Sequence, residues 1–277
     1  MSRRTTLAGL AGSCHPEPVV AVTAITTALA VAAGLGVRSL VVLAAILAGQ
    51  LSIGWGNDYL DRDRDRVALR TDKPLANAAV SSLLVRRASA IALALCLPLS
   101  LALGWRAGAA HLAGVTAGWT YNLAAKATVL SPLPYVVAFG LIPSVVTLAT
   151  PGHSFAPGWA TAGGALLGAS AHFTNTLPDL ELDALAGIRG LPHRLGAYFS
   201  LRVAVVLLAG ACGVLAFGPR GGLGVTAGVL LALAVAAIAG IVVAASRADG
   251  SRNAFRLTVL TAVLAVGLLV LRGNQLS

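Results

Sequence analysis

The chain has 277 residues, of which 57% are hydrophobic and only 11% are charged. Soluble globular domains keep about 25% charged residues, so this composition excludes a soluble enzyme and predicts a membrane protein. Twenty basic and ten acidic residues give a formal charge of +10. The three cysteines, Cys14, Cys96 and Cys212, are too few and too far apart for a disulfide framework or a metal cluster.

Nine apolar stretches predict nine transmembrane helices, because a bilayer core about 30 Å thick needs roughly 20 mostly apolar residues per helix. They cover residues 19–35, 40–59, 88–105, 107–123, 133–149, 159–177, 195–217, 223–246 and 255–271.

The basic residues indicate how these nine helices are oriented. Only Arg38, Arg106, Arg220 and Arg272 fall on one side, and the other 16 of the 20 basic residues fall on the opposite side. The positive-inside rule therefore predicts an all-α, multi-pass protein of the cell (inner) membrane, with a cytoplasmic N-terminus and an external C-terminus. We expect the lipid bilayer, and no nucleic acid, among its partners.

Eight of the ten acidic residues form two clusters, after the second and sixth stretches, on the predicted cytoplasmic side. The clusters are Asp58, Asp61, Asp63, Asp65 and Asp72, and Asp179, Glu181 and Asp183. Each contains one Asn followed by two Asp at steps of four residues. These triplets are Asn57, Asp61 and Asp65 in the first, and Asn175, Asp179 and Asp183 in the second.

A step of four residues keeps side chains on one face of an α-helix, so each triplet predicts a stripe of oxygen ligands, and the two stripes could face each other. Carboxylates on apolar helices near a membrane are costly unless cations offset them. Mg²⁺ suits such a site because it binds one or two carboxylates, keeps waters and takes further ligands from phosphates. We therefore predict that all six side chains bind Mg²⁺. The alternative is a solvated loop with incidental ion pairs.

Basic residues accompany both acidic clusters and predict a diphosphate site. The candidates are Arg66, Arg70, Lys73 and Lys126. Lys126 could instead be a cytoplasmic anchor. The apolar helices behind the acids would hold a hydrocarbon tail.

These motifs resemble those of the UbiA superfamily of intramembrane prenyltransferases. The family motif NDxxDxxxD is matched by Asn57, Asp58, Asp61 and Asp65, and its DxxxD motif by Asp179 and Asp183. Tyr121 with Lys126 is similar to the family's Tyr…Lys element, and residues 70–75 are similar to its RPxRP-like tail. The resemblance implies a single transmembrane prenyltransferase domain over residues 1–277. It also implies that Mg²⁺ and a prenyl diphosphate bind and that the isoprenoid group passes to an acceptor, commonly aromatic.

The chain departs from the family pattern at several positions. His15 stands before Pro16 where the family often has Arg, and Gly190 stands where a Thr is common. Ala184 and Leu185 replace basic residues that frequently follow the last Asp. These departures leave the acceptor and the reaction subtype open.

The predicted reaction begins when diphosphate leaves and an allylic carbocation forms. Asp61 and Asp179 are the predicted catalytic metal ligands, the basic residues and Tyr121 bind the diphosphate, and Asp58 takes up the proton released by the acceptor. Aromatic rings could stabilise the cation or serve only as packing residues. They are Trp55, Tyr59, Tyr121 and Phe173.

Two other functions compete with prenyl transfer. A membrane terpene cyclase with the same fold would capture the cation within its own chain. A cation-coupled transporter would use acids near the middle of the bilayer. The acids here lie at predicted cytoplasmic helix ends, which favours an enzyme.

Overall fold

The structure, a computed structural model, describes residues 3–68, 70, 73–152, 154–185, 187–245 and 251–276. The predicted acid Asp72 and the end of the eighth apolar stretch, residue 246, lie outside these residues. All regular secondary structure in the described part of the chain is helical, which confirms the predicted all-α class.

The α-helices are, in chain order, α1 (Arg3–Gly12), α2 (Pro16–Ala32), α3 (Ser39–Val67), α4 (Ser82–Leu101), α5 (Trp105–Leu123), α6 (Leu133–Ala149), α7 (Gly158–Thr176), α8 (Leu180–Leu185), α9 (Leu191–Phe217), α10 (Val225–Ala245) and α11 (Ser251–Leu271). All except α1 and α8 overlap one predicted apolar stretch each. The predicted stretches therefore correspond to helices in the described residues, although several boundaries differ.

Four helical segments are long and apolar enough, taken singly, to cross a bilayer: Gly36–Val67, Ser82–Leu101, Leu191–Phe217 and Val225–Ala244. A fifth results if Thr6–Gly12 and Pro16–Ala32, bent by 62°, form one span. Leu133–Ala149 and Arg256–Leu271 are apolar but shorter. The described helices thus indicate a membrane protein, and the count of nine spans stays a prediction.

The two acidic motifs have different local structures. Helix α3 continues to Val67, eight residues beyond its predicted end, so Asn57, Asp61 and Asp65 do share one helical face. The expectation of one helical stripe for the second triplet is wrong. Helix α7 ends at Thr176, and a 3₁₀ turn over Leu177–Asp179 leads into α8. Pro178 in this turn has no N–H for an α-helical hydrogen bond.

Neighbouring helices in the sequence pack in pairs and close into a bundle. Helix α3 packs against α4 and α5, α6 against α5 and α7, and α7 against α9, while α11 contacts both α9 and α2. Fully buried side chains from five helices meet in one apolar core: Leu29, Val42, Leu148, Leu208 and Leu268. The two acidic motifs lie at the ends of α3 and α7, so this packing fixes the distance between them.

Candidate active site

The first motif places two carboxylates inside the protein. Asp58 is 2% exposed and Asp61 is 8% exposed, while Asp65 is half-buried. A buried carboxylate is strongly unfavourable unless cations and hydrogen bonds satisfy it. The contacts of these acids therefore show which basic side chains belong to the site.

Asp61 is paired with two cations. Lys126 Nζ and Arg64 Nη2 both donate hydrogen bonds to Asp61 Oδ1. Lys126 lies on a 3₁₀ turn after α5 and is only 6% exposed, so burial lowers the pKa of its ammonium group, and the charge of Asp61 acts in the opposite direction. This pair ties the end of α5 to the first motif.

Asp58 meets a second group of basic side chains. Lys73 Nζ donates to Asp58 Oδ1 at 3.3 Å and lies 3.1 Å from His15 Nε2, which is itself 3.2 Å from the same Oδ1. The second oxygen, Asp58 Oδ2, is buried without a hydrogen-bond partner in the described part of the chain. His15 thus occupies the position that the family often gives to Arg, and it contacts the motif directly.

The start of α2 approaches α3 closely at Gly54. A methyl group built on Gly54 would lie 2.1 Å from the carbonyl oxygen of Cys14. His15 follows with φ 56° and ψ 69°, a left-handed conformation that few non-glycine residues adopt, with His among those that do so more often. The missing side chain at Gly54 therefore allows His15 to reach Asp58.

Arg70 joins the two motifs. Its backbone N–H donates to the carbonyl oxygen of Asp65 at 3.0 Å, and its Nη2 donates to Asp179 Oδ1, also at 3.0 Å. Arg70 Nη1 lies 3.9 Å from Asp183 Oδ1. Arg70 is 7% exposed and Asp179 is 41% exposed, so this contact is a partly buried bridge between the segments that follow α3 and α7.

The environment of Asp183 contains charges of both signs. Burial, followed by the negative charge of Asp179, raises the pKa of Asp183, while His193 and Arg70 act to lower it. His193 Nε2 is 3.5 Å from Asp183 Oδ2. Arg70 and His193 therefore favour the ionised form that a metal ligand requires.

Amide side chains anchor the first motif to α5. Asn57 Nδ2 donates to Asn122 Oδ1 at 3.1 Å, and Asn122 Nδ2 donates to the carbonyl oxygen of Ile53 at 3.0 Å. Because the Asn57 nitrogen makes this bond, its oxygen is the atom that remains to bind a ligand.

Aromatic rings from α5, α6 and α7 pack against one another near the two motifs. Tyr121 and Tyr135 meet edge to face at 5.2 Å between ring centroids, and the His172 ring lies 5.0 Å from that of Tyr135. Tyr135 also hydrogen-bonds with Asn175, and the negative charges of Asp183 and Asp61 both act on the Tyr121 hydroxyl. Tyr121 and Tyr135 are therefore near side chains of both motifs.

Gly190 has a packing role that explains its departure from the family pattern. A methyl group built on it would lie 2.5 Å from the carbonyl oxygen of Lys126. The next residue, Leu191, donates its backbone N–H to Ser131 Oγ at 3.0 Å. A Thr at position 190 would therefore push away the turn that presents Lys126 to Asp61.

The predicted metal ligands offer oxygen atoms only, which suits Mg²⁺. Among the residues that the structure describes, no three His, Cys, Asp or Glu side chains converge closely enough to hold an ion by themselves. Mg²⁺ commonly uses one or two carboxylates and completes its shell with waters and phosphate oxygens. The donor set thus fits Mg²⁺ bound together with a diphosphate.

Some predicted residues do not join this cluster. Arg66 is about half-exposed and lies 3.6 Å from the outward-facing Asp63. The Trp55 indole N–H donates to the carbonyl oxygen of Leu10, and Tyr59 lies under Arg62, so both rings pack elsewhere.

Sequence reasoning missed several contacts in the site. Four residues that contact the site were not predicted as site residues: Arg64, Asn122, Tyr135 and His193. Two of them could have been found from the sequence, because Asn122 follows Tyr121 and His193 follows Pro192, in segments that resemble the family. Arg64 and Tyr135 carry no such signal.

Comparisons with known proteins concern the family and the fold. Residues 19–264 match the UbiA prenyltransferase family. A UbiA homolog from Archaeoglobus fulgidus bound to GPP and Mg²⁺ is 20% identical, with a TM-score of 0.69, over 95% of this chain and 99% of that one. A structure of digeranylgeranylglyceryl phosphate synthase is 16% identical, with a TM-score of 0.68, over 98% and 99%.

The Archaeoglobus fulgidus homolog bound to Cd²⁺ is 18% identical, with a TM-score of 0.65, over 95% of this chain and 99% of that one. No curated protein gives a significant match. The structural likenesses, at these identities, show a shared fold, and the family match covers most of the sequence. The chain belongs to the UbiA prenyltransferase family.

Proposed function

We propose that this protein is a Mg²⁺-dependent intramembrane prenyltransferase, which moves an isoprenoid group from a prenyl diphosphate to a small aromatic acceptor and releases diphosphate. The observation that carries the proposal is the contact between Arg70 and Asp179 at 3.0 Å, which links the segment after the first motif to the second motif. Homologues of the same fold have been solved with GPP or DMAPP and Mg²⁺ bound, which supports the same substrate class here.

The oxygen atoms of both motifs would hold the metal. The proposed ligands are Asn57, Asp61, Asp65, Asn175, Asp179 and Asp183. Bound Mg²⁺ would neutralise the charge that develops on the leaving diphosphate. Asn57 would offer its amide oxygen, because its nitrogen is bonded to Asn122. Arg66 is left out of the site because it lies beside Asp63.

Three of the cations held at the acids are positioned to bind the diphosphate. Lys126 contacts Asp61, Lys73 contacts Asp58, and Arg70 contacts Asp179. When metal and substrate enter, Lys73 and Lys126 would exchange carboxylate oxygens for phosphate oxygens, which also carry negative charge. Arg70 would keep its contact with Asp179 and offer its other N–H groups to the phosphate. Each buried acid is thus neutralised before substrate arrives, and little reorganisation is needed at ionisation.

The remaining steps need protection from water and a place for a proton. The Tyr121 and Tyr135 rings, beside the acids, would face the allylic cation and exclude water. Asp58, with one buried oxygen that lacks a partner, would accept the proton that the acceptor releases.

The proposal places the site at the cytoplasmic face of the cell membrane. Sixteen of the 20 basic residues fall on the side of the two motifs when the chain crosses the bilayer nine times. We therefore also propose nine spans, with the N-terminus in the cytoplasm.

The test measures Mg²⁺-dependent diphosphate release in membranes containing the full chain. Asp61→Asn and Asp179→Asn should each lower the rate by about 100-fold or more, because each removes a charge that acts at the leaving group. Asp63→Asn is the matched control, since Asp63 is 68% exposed and pairs with Arg62 and Arg66. Near wild-type rates in both test variants would refute the metal assignment. Supplying prenyl diphosphate without acceptor and finding a cyclic hydrocarbon would identify a cyclase instead.

A further inference from the structure

Helix α5 is held against α3 immediately before the first acidic motif. The Trp119 indole N–H donates to Ser52 Oγ at 3.3 Å. The ring fits there because residue 56 is glycine: a methyl group built on Gly56 would lie 2.5 Å from the Trp119 ring. Three residues after Trp119, Asn122 reaches the same part of α3 and is only 4% exposed. The end of α5 is thus fixed against the helix that carries the first proposed metal ligands.

The hydrogen bonds of the Asn122 side chain have only one possible direction. Its Nδ2 donates to the carbonyl oxygen of Ile53 at 3.0 Å. A backbone carbonyl accepts hydrogen bonds and cannot donate them, so the nitrogen of Asn122 must face Ile53. The Oδ1 of Asn122 then faces Asn57 and accepts a hydrogen bond from Asn57 Nδ2 at 3.1 Å. The Ile53 carbonyl therefore determines, through Asn122, which atom of the Asn57 amide is occupied.

We infer that Asn122 is a positioning residue, which fixes the orientation of the Asn57 amide so that its oxygen is the atom offered to Mg²⁺; this rests on the proposed function. The last side-chain torsion of asparagine is broad and roughly two-fold, so the amide oxygen and nitrogen can exchange places. Only the oxygen can bind a cation, because the NH₂ group is a donor. The acceptor that occupies the nitrogen therefore decides whether Asn57 can serve as a metal ligand.

The neighbouring carboxylate favours the opposite orientation. Asp61 lies four residues after Asn57 on the same face of α3, and side chains at this spacing are neighbours. A carboxylate attracts an amide N–H, so without Asn122 the Asn57 nitrogen would turn toward Asp61. Its N–H groups would then stand where the metal has to bind. Asn122 opposes this by giving the nitrogen a partner on α5.

The test measures Mg²⁺ binding without turnover. The full chain is placed in lipid nanodiscs with geranyl S-thiolodiphosphate, which does not react, and the Tm is followed as the Mg²⁺ concentration rises. Asn122→Leu keeps the size of the side chain but removes both hydrogen bonds. It should raise the Mg²⁺ concentration for half-maximal stabilisation about tenfold. Asn122→Ala removes the same hydrogen bonds without adding bulk, and it should give the same rise if Asn122→Leu does not fold.

A substitution at position 57 distinguishes amide orientation from general damage. A carboxylate presents an oxygen on both sides, so Asn57→Asp needs no orienting partner. In the Asn57→Asp background, Asn122→Leu should therefore change the half-maximal Mg²⁺ concentration by less than about twofold. A tenfold rise in both backgrounds overturns the inference, because Asn122 would then act on the site in some way other than by orienting the amide.

The matched control is Ser89→Ala, which also removes a hydrogen bond to the backbone of α3. Ser89 lies on α4, is 4% exposed, and donates from Oγ to the carbonyl oxygen of Ser52 at 2.8 Å. Its loss should lower the Tm measured without Mg²⁺ but leave the half-maximal Mg²⁺ concentration unchanged. A tenfold rise in Ser89→Ala overturns the positioning role, because any lost contact between helices would then have the same effect.

Diphosphate release from geranyl diphosphate separates this inference from the proposed reaction. An unchanged half-maximal Mg²⁺ concentration in Asn122→Leu overturns the positioning role even where the wild type turns over its substrate. The expected rise, with its suppression by Asn57→Asp but without turnover of any prenyl diphosphate, supports the positioning role and refutes the transferase proposal. A wild type that Mg²⁺ does not stabilise overturns both.

Discussion

The bridge between Arg70 and Asp179 makes a quantitative prediction, because it is the contact that joins the two motifs. At 3.0 Å and an effective dielectric constant of about 20, the attraction of two unit charges is about 5 kcal/mol. Asp179 is 41% exposed, so solvent screening and side-chain ordering reduce the net interaction to about 1–2 kcal/mol. A cycle of Arg70→Met, Asp179→Asn and the double variant measures this interaction directly.

The assay is Mg²⁺-dependent diphosphate release, reported as kcat/KM for each of the four proteins. If the two side chains act together, the double variant should be about five- to thirtyfold more active than the product of the single effects predicts, which corresponds to about 1–2 kcal/mol. Arg87→Met is the control, since Arg87 is an exposed basic residue on α4, and its effect should multiply with that of Asp179→Asn. If the effects of Arg70→Met and Asp179→Asn on kcat/KM also multiply, the bridge has no part in the reaction.

Three further predictions concern how the site is assembled. Gly190→Thr should lower diphosphate release about tenfold or more, because its Cβ would meet the Lys126 carbonyl at 2.5 Å and displace Lys126 from Asp61. Gly54→Ala should lower the Tm by several degrees, as a methyl group 2.1 Å from the Cys14 carbonyl forces α2 away from α3 at a cost of about 1–3 kcal/mol. Gly210→Ala, where the nearest atom is 3.6 Å away, is the control for both, and an equal response there would contradict the packing argument. Arg70→Met should move the acid limb of the pH–rate profile to higher pH: loss of a positive charge raises the pKa of Asp183, so the carboxylate protonates earlier as the pH falls. An unchanged limb would show that Asp183 ionisation does not control the rate.

The sequence predicted the acidic residues of the site well, because charged side chains on apolar helices are energetically costly. Carboxylates at the ends of apolar helices are rare, so their clustering at Asp58, Asp61, Asp179 and Asp183 is informative without coordinates. The four-residue steps between Asn57, Asp61 and Asp65 also predicted that the first motif is helical, as it is in α3. The second triplet did not follow it, because Pro178 interrupts the helix and produces a 3₁₀ turn.

Other features depended on contacts between residues far apart in the chain. Charge and closeness to the first motif do not distinguish Arg70, which bridges the motifs, from Arg66, which lies beside Asp63. Only the resemblance of residues 70–75 to the family's tail favours Arg70. Similarly, the sequence shows Gly190 only as the absence of the Thr that is common in the family. The structure explains it, because the Lys126 carbonyl lies beside Gly190. These contacts cannot be read from the local sequence because the packing of α3, α5 and α7 determines which side chains meet.

Residue order alone thus predicted apolar helices suited to a bilayer, and a cluster of oxygen-bearing side chains with basic neighbours suited to a diphosphate. The tertiary structure decided which cation meets which acid. The physical reason is that hydropathy and charge are properties of each residue, whereas distances between helices depend on the packing of small residues such as Gly54 at their contacts.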